Sequence, residues 1–201
     1  MSTPVETEVK IRFAGNASEA YKRIEGLGYS IRIPRTYETD QLFDRADANL
    51  RASDRVLRVR RENNSHGTRC ILTYKGPADR ERYKTREEIE TEVTDGDHLV
   101  LILDRLGYKG GFRYEKYRTT FGADQQPGII TVDETPLGIF LELEGAKEWI
   151  DQTATYLGFS ASDYVISSYA ALWMEYHHEQ SNASPDMVFL DAPPGPQTKY
   201  P

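Results

Sequence analysis

The chain has 201 residues, 38% of them hydrophobic and 28% charged, the proportions of one globular domain with or without a tail. Its net charge of −7 argues against nucleic acid as a partner, and its one cysteine, Cys70, excludes an intramolecular disulfide and a thiolate metal cluster. No apolar run reaches the length of a membrane span and residues 1–15 alternate charges, so a cytoplasmic protein with no membrane partner is expected.

The first predicted element is a strand over Val5–Phe13, whose side chains alternate between two faces. One face reads Val5, Thr7, Val9, Ile11, Phe13; the other reads Glu6, Glu8, Lys10, Arg12. Asn16 and Glu19 have capping-box spacing and open a helix that ends at Leu27-Gly28-Tyr29. Leu106-Gly107-Tyr108 and Leu157-Gly158-Phe159 repeat that helix-stop chemistry. Further strands are expected at 36–44, 55–62, 68–75 and 84–93, the second and third separated by turn residues at 63–67. Asp95 or Asp97 caps a helix running to Leu106. Gly110-Gly111 opens a strand over 112–121, followed by strands at 129–134 and 139–145 around the tight turn Thr135-Pro136-Leu137-Gly138. Helices at 147–157 and from Ser167 or Ser168 through residue 179 complete a domain over 1–180. The Pro- and Gly-rich stretch 181–201 reads as a peripheral tail, with Met187-Val188-Phe189-Leu190 as a docking segment.

A charged strand face is ordinarily a solvated one, but here the pattern recurs on strand after strand. Arg58 and Arg60 share a face, as do Thr73 and Lys75. Lys84, Arg86, Glu88 and Glu90 fall together, and so do Lys116 and Arg118 with Tyr114. Thr131 pairs with Asp133, and Glu142 with Glu144. The amphipathic helices need an apolar sheet face to cover, which leaves the charged faces turned inward. Short connections imply antiparallel neighbours. The expected fold is therefore α+β: an eight-stranded antiparallel closed β-barrel, a tunnel with a charged interior and helices packed outside.

Lys10, Arg12, Arg58, Arg60, Lys75, Arg86, Lys116 and Arg118 would ring a bound polyanion, since guanidinium forks and ammonium groups suit phosphate oxygens. Glu6, Glu8, Glu88, Glu90, Glu142, Glu144 and Asp133 supply hard oxygen donors of the kind that hold Mg²⁺ or Mn²⁺ together with substrate phosphates. Together they would hold a metal-bound triphosphate.

Glu6-Thr7-Glu8-Val9-Lys10, Arg58-Val59-Arg60, Lys75, Arg86-Glu87-Glu88-Ile89-Glu90, Lys116-Tyr117-Arg118, Asp133 and Glu142-Leu143-Glu144, in this order, resemble the CYTH superfamily of triphosphate tunnel metalloenzymes. The resemblance runs from Val5 to the helix near Trp173 and implies an eight-stranded tunnel. It implies Glu6, Glu8, Glu142 and Glu144 as metal ligands with Asp133 as a helper, and Lys10, Arg58, Arg60, Lys75, Lys116 and Arg118 as the triphosphate-binding set. Glu88 or Glu90 is the candidate for orienting or deprotonating the nucleophile, with Lys10 at the reacting phosphate. Some relatives add a basic residue near the C-terminus, where this chain has Ser167-Ser168-Tyr169. The implied activity is metal-dependent hydrolysis of an inorganic, organic or nucleoside triphosphate; the alternative is a class IV adenylyl cyclase making cyclic AMP and pyrophosphate from ATP. A non-catalytic polyphosphate- or nucleotide-binding module ranks third, and self-association as a homodimer is left open.

Overall fold

The structure, a computed structural model, describes residues 4–179 and 184–190. Its strands are β1 (Val5–Phe13), β2 (Ser30–Arg45), β3 (Val56–Asn64), β4 (Gly67–Lys75), β5 (Asp79–Arg80), β6 (Lys84–Glu92), β7 (Tyr108–Gly122), β8 (Ile129–Thr135), β9 (Gly138–Glu144) and β10 (Tyr164–Val165). Its helices are α1 (Ala17–Glu25), α2 (Asn49–Ala52), α3 (Gly96–Arg105), α4 (Lys147–Tyr156) and α5 (Tyr169–Glu179). Eight strands follow the order β1-β9-β8-β7-β2-β3-β4-β6, and antiparallel pairing of β6 with β1 closes the ring. The two-residue strands β5 and β10 add to β6 and β1. The expected closed barrel is what the chain forms.

Local chemistry sets the helix ends. Asn16 and Glu19 form both halves of a capping box on α1, and Asp95 accepts from the amides of Asp97 and His98 at the start of α3. Gly28, Gly107 and Gly158 adopt φ of 85°, 85° and 82°, a left-handed conformation that glycine takes without Cβ strain.

The apolar strand faces point outward. α1 and α4 cover Val9, Ile11, Ile130, Val132, Leu141 and Leu143 with Ala20, Ile24, Trp149, Ile150 and Leu157. α3 covers Val59 and Phe43 with Leu103, and Cys70 packs beside them with Leu57 and Leu72. Each such side chain contributes roughly 1.5–3 kcal/mol of burial, and this external core holds the tunnel wall in shape.

Three departures from the sequence reading have physical causes. β2 begins at Ser30 rather than 36, because residues before Tyr37 pair only with β7 and extend past the ring as a ribbon. β7 begins at Tyr108 because β2 shifts register between Gln41 and Phe43, which brings Gly110 and Gly111 inside the strand. α2 was not anticipated; at one turn it shows no period, and it is held by Asp44, whose carboxylate accepts from the amides of Leu50 (3.1 Å) and Arg51 (2.9 Å).

α5 and residues 184–190 close one flank. β8 pairs with β7 only along Tyr117–Phe121, and the uncovered stretch is taken by Met187, whose carbonyl accepts from Glu115 N (2.8 Å) and whose N–H donates to Arg113 O (3.0 Å). Met187 is fully buried among Tyr114, Phe140, Tyr169, Leu172 and Trp173. The remainder of the expected tail, 181–183 and 191–201, lies outside the described residues.

Candidate functional site

The barrel encloses a cavity of about 890 Å³. Strand alternation turns Glu6, Glu8 and Lys10 of β1, Arg58 and Arg60 of β3, and Lys75 of β4 into it. β6 contributes Lys84, Arg86, Glu88 and Glu90, β7 Lys116 and Arg118, and β9 Glu142 and Glu144. The residues of the expected site therefore line this space except Asp133, which is sealed beneath Lys116 and Arg118, and Arg12. Arg12, expected in the cationic ring, is exposed on the outside, its guanidinium 4.7 Å from the Phe140 ring and donating to Leu137 O.

Carboxylates of one kind brace the cations from behind. Asp133 is fully buried and accepts from Lys116 Nζ (2.8 Å), from Arg118 Nε (2.7 Å) and Nη2 (2.6 Å), and from the Tyr169 hydroxyl (2.8 Å). Those donors occupy both of its oxygens. Asp40, also fully buried, accepts from Arg60 Nε at 2.8 Å and lies 3.4 Å from Arg58 Nε. Burial pushes the Asp40 carboxyl up, but the charges of Arg60, Arg58 and Lys116 hold it below the ordinary range. Glu38 lies 3.3 Å from Arg60 and 3.5 Å from Lys116. The Tyr169 ring faces the ammonium groups of both Lys10 (5.4 Å) and Lys116 (5.3 Å).

Carboxylates of the other kind face the cavity. Glu8 Oε1 accepts from Lys84 Nζ (2.7 Å) and Lys10 Nζ (3.0 Å), and Glu142 pairs with Lys10 (3.3 Å) and Arg118. Lys75 donates to Glu88 (2.6 Å) and Glu6 (3.1 Å). Glu90, at the rim, accepts from Thr73 Oγ1 (2.8 Å) and Arg58 Nη2 (3.0 Å). Burial holds the Glu144 carboxyl up at about 7, with the nearby charges of Glu6 and Glu8 adding to it. The Glu88 carboxyl stands at about 8 because of burial and its hydrogen bond with Glu6, with Lys75 opposing. Lys84 falls to about 8 through burial and the charge of Lys10, against the pull of Glu8. Among the described residues no three acidic, imidazole or thiolate groups are gathered as a ready cation cage. The donors facing the cavity are hard oxygens, Glu8 and Glu142 already paired with cations and Glu144 pushed up by burial and its acidic neighbours, and that oxygen chemistry fits a divalent ion.

Sequence reasoning put Lys84 on the charged inward face without giving it a role, and it missed Glu38, Asp40 and the part played by Tyr169. Glu38 and Asp40 stand in the period-2 series Thr36, Glu38, Asp40, Leu42, and Lys84 opens the series of Arg86 and Glu88, so alternation carried a signal for all three. Tyr169 reaches Asp133 from a helix 36 residues away, and no local pattern marks it.

The CYTH domain model matches residues 5–157. A Methanocaldococcus jannaschii protein named "Putative adenylate cyclase" is 31% identical over 140 residues, covering 70% of this chain and 76% of that protein. Among solved structures, the PH1819 protein of Pyrococcus horikoshii gives a TM-score of 0.72 at 27% identity, over 85% of this chain and 99% of that one. HpAC1 of Hippeastrum, an adenylyl cyclase by name with a dominant triphosphatase activity, gives 0.61 at 16% identity, over 85% and 96%.

Proposed function

The chain belongs to the CYTH family, and from that premise we propose that it hydrolyses a triphosphate-containing substrate inside the tunnel in a metal-dependent reaction. The observation that carries this reading is the split among the carboxylates. Glu38, Asp40 and Asp133 fix the cations in place from behind, so that Arg58, Arg60, Lys116 and Arg118 are aimed at the cavity before any ligand arrives. Preorganised charge of this kind is what phosphoryl transfer asks of a protein. Lys10, held in its charged form by Glu142 and Glu8 despite burial, joins that set, as do Lys75 and Arg86.

The cavity-facing Glu6, Glu8, Glu142 and Glu144 would hold Mg²⁺ or Mn²⁺. Such an ion supplies charge neutralisation and polarises phosphoryl oxygens. Asp133, with its oxygens committed to Lys116, Arg118 and Tyr169, serves as a positioning residue in this reading rather than as a metal helper. In this reading Glu88, hydrogen-bonded by Lys75, would orient the attacking water, with Glu90 outside it on Arg58 and Thr73. Attack of that water at the terminal phosphorus would break its bond to the bridging oxygen, giving phosphate and the diphosphate portion of the substrate, with the proton of the water passing to solvent.

A second reading, cyclisation of ATP to cyclic AMP and pyrophosphate, is favoured by the name of the M. jannaschii relative. One screen separates the two: inorganic triphosphate, ATP and thiamine triphosphate, each with Mg²⁺ and with Mn²⁺. Phosphate release from at least one is expected. Cyclic AMP with pyrophosphate from ATP would transfer the assignment to the cyclase, and no phosphate from any would overturn the hydrolase.

A further inference from the structure

The CYTH match ends at residue 157, yet one member of the network that braces the cations, Tyr169, comes from beyond it. Tyr169 is the first residue of α5, and its hydroxyl reaches Asp133, which in turn holds Lys116 and Arg118. A side chain at a helix end is placed only as well as the helix itself, and a hydrogen bond weakens steeply as its geometry degrades. Whatever seats α5 therefore sets the Tyr169–Asp133 contact.

Residues 184–189 do this seating. Met187 pairs in parallel with Tyr114, as a short extra strand on the stretch of β7 that β8 leaves uncovered. Its side chain, fully buried, packs with Tyr169, Leu172 and Trp173 of α5 and with Tyr114 and Phe140 of the wall. Trp173 Nε1 donates to Ser184 O (3.0 Å), which ties the helix to the start of this segment. Two side chains then fasten the segment to β7. Asp186 Oδ1 accepts from Arg113 N (2.9 Å), and Glu115 Oε2 accepts from Phe189 N (3.1 Å). Glu115 is buried, and its other oxygen is taken by the Arg113 guanidinium. Phe189 lies against Tyr117, their ring centroids 5.4 Å apart, on the face of β7 opposite Lys116 and Arg118. The segment so grips β7 from both faces, and Glu115, Asp186 and Met187 do not line the cavity.

We infer, on the triphosphate reading of the tunnel, that Met187 is a positioning residue: seated by Asp186 and Glu115, it fixes Tyr169 on Asp133 and thereby the aim of Lys116 and Arg118 at the phosphoryl groups. A plug that only stabilised the fold would change the unfolding midpoint and leave the affinity of the folded protein alone. A strap acting through the Tyr169 hydroxyl changes affinity, and it does so only while that hydroxyl is present.

The test is calorimetric binding of inorganic triphosphate, with Ca²⁺ in place of Mg²⁺, to the full chain carrying Met187→Ala, Met187→Leu or Asp186→Ala, each with Tyr169 and with Tyr169→Phe. Met187→Ala is expected to lower affinity about tenfold with Tyr169 in place and less than about threefold in Tyr169→Phe, since the two share one route. Met187→Leu, which refills the site, should stay within about twofold of wild type. Asp186→Ala should show a smaller fall with the same dependence on Tyr169, and it carries the comparison if Met187→Ala does not fold. A second measurement needs no ligand: exchange of the Arg118 Nε–H, which is donated to Asp133 Oδ1 at 2.7 Å, followed by NMR. Its exchange should be at least about fivefold faster in Met187→Ala, or in Asp186→Ala if that variant stands in. Equal losses of affinity in the two backgrounds, or wild-type affinity in both Met187→Ala and Asp186→Ala, overturn the strap. If wild type binds no triphosphate, that reading falls by itself and the Arg118 exchange decides: faster exchange keeps the strap, and an unchanged rate overturns it.

Discussion

The two kinds of carboxylate behave in opposite ways although both sit on interior strand faces. Around Asp133 both oxygens accept from guanidinium, ammonium or hydroxyl donors, and Asp40 pairs with Arg60 and Arg58 through Oδ1, with its Oδ2 buried and without a hydrogen-bond partner. Around Glu6, Glu88 and Glu144 the acids crowd one another, and Lys75 is shared between two of them. The first region is a support in which each acid faces two or more cations; in the second, Glu6 and Glu88 share one lysine, and a bound cation would add the positive charge they lack. The same side-chain chemistry thus gives rigidity in one place and affinity in another, and the difference is how many cations each acid faces.

Removing the support is expected to have the largest effect. Asp133→Ala strands Lys116 and Arg118 in the wall, and a buried ion network broken from one side loses about 3–5 kcal/mol. Denaturant unfolding should show that loss together with collapse of triphosphate binding. Next comes Tyr169→Phe, which deletes one hydrogen bond to a buried charge, worth about 1.5–3 kcal/mol, and leaves the ring over Lys10 and Lys116. Its expected signature is a weakened triphosphate affinity that Tyr169→Ala weakens further. The smallest effect should come from the unfinished region: Glu144→Gln removes one of several mutually repelling acids, so without divalent ion its stability should equal or exceed wild type by about 1 kcal/mol. A loss as large as that of Asp133→Ala would erase the distinction between the regions.

Much of this was legible in the chain because a strand's period of two separates faces without ambiguity. Val9, Ile11, Leu141 and Leu143 against Glu8, Lys10, Glu142 and Glu144 gave both the external core and the charged lumen. What alternation cannot give is depth along the inward side chain. Asp133 and Glu142 read alike in sequence, yet one is sealed behind Arg118 and the other faces the cavity. The part played by Tyr169 was equally hidden, because it depends on where α5 and the 184–190 segment come to rest against β7. Arg12 shares Lys10's face by count, but it sits where β1 passes the rim, and it folds outward onto Phe140.

Metal-dependent turnover is tested most directly by phosphate release from inorganic triphosphate with Mn²⁺, measured on wild type before and after addition of EDTA and on Glu144→Gln at matched protein concentration. Release that stops with EDTA, and that falls by at least about a hundredfold in Glu144→Gln while the variant stays folded, is the predicted result. Release that persists in EDTA, or that is as fast in Glu144→Gln as in wild type, would contradict the assignment of the acidic end to a catalytic cation.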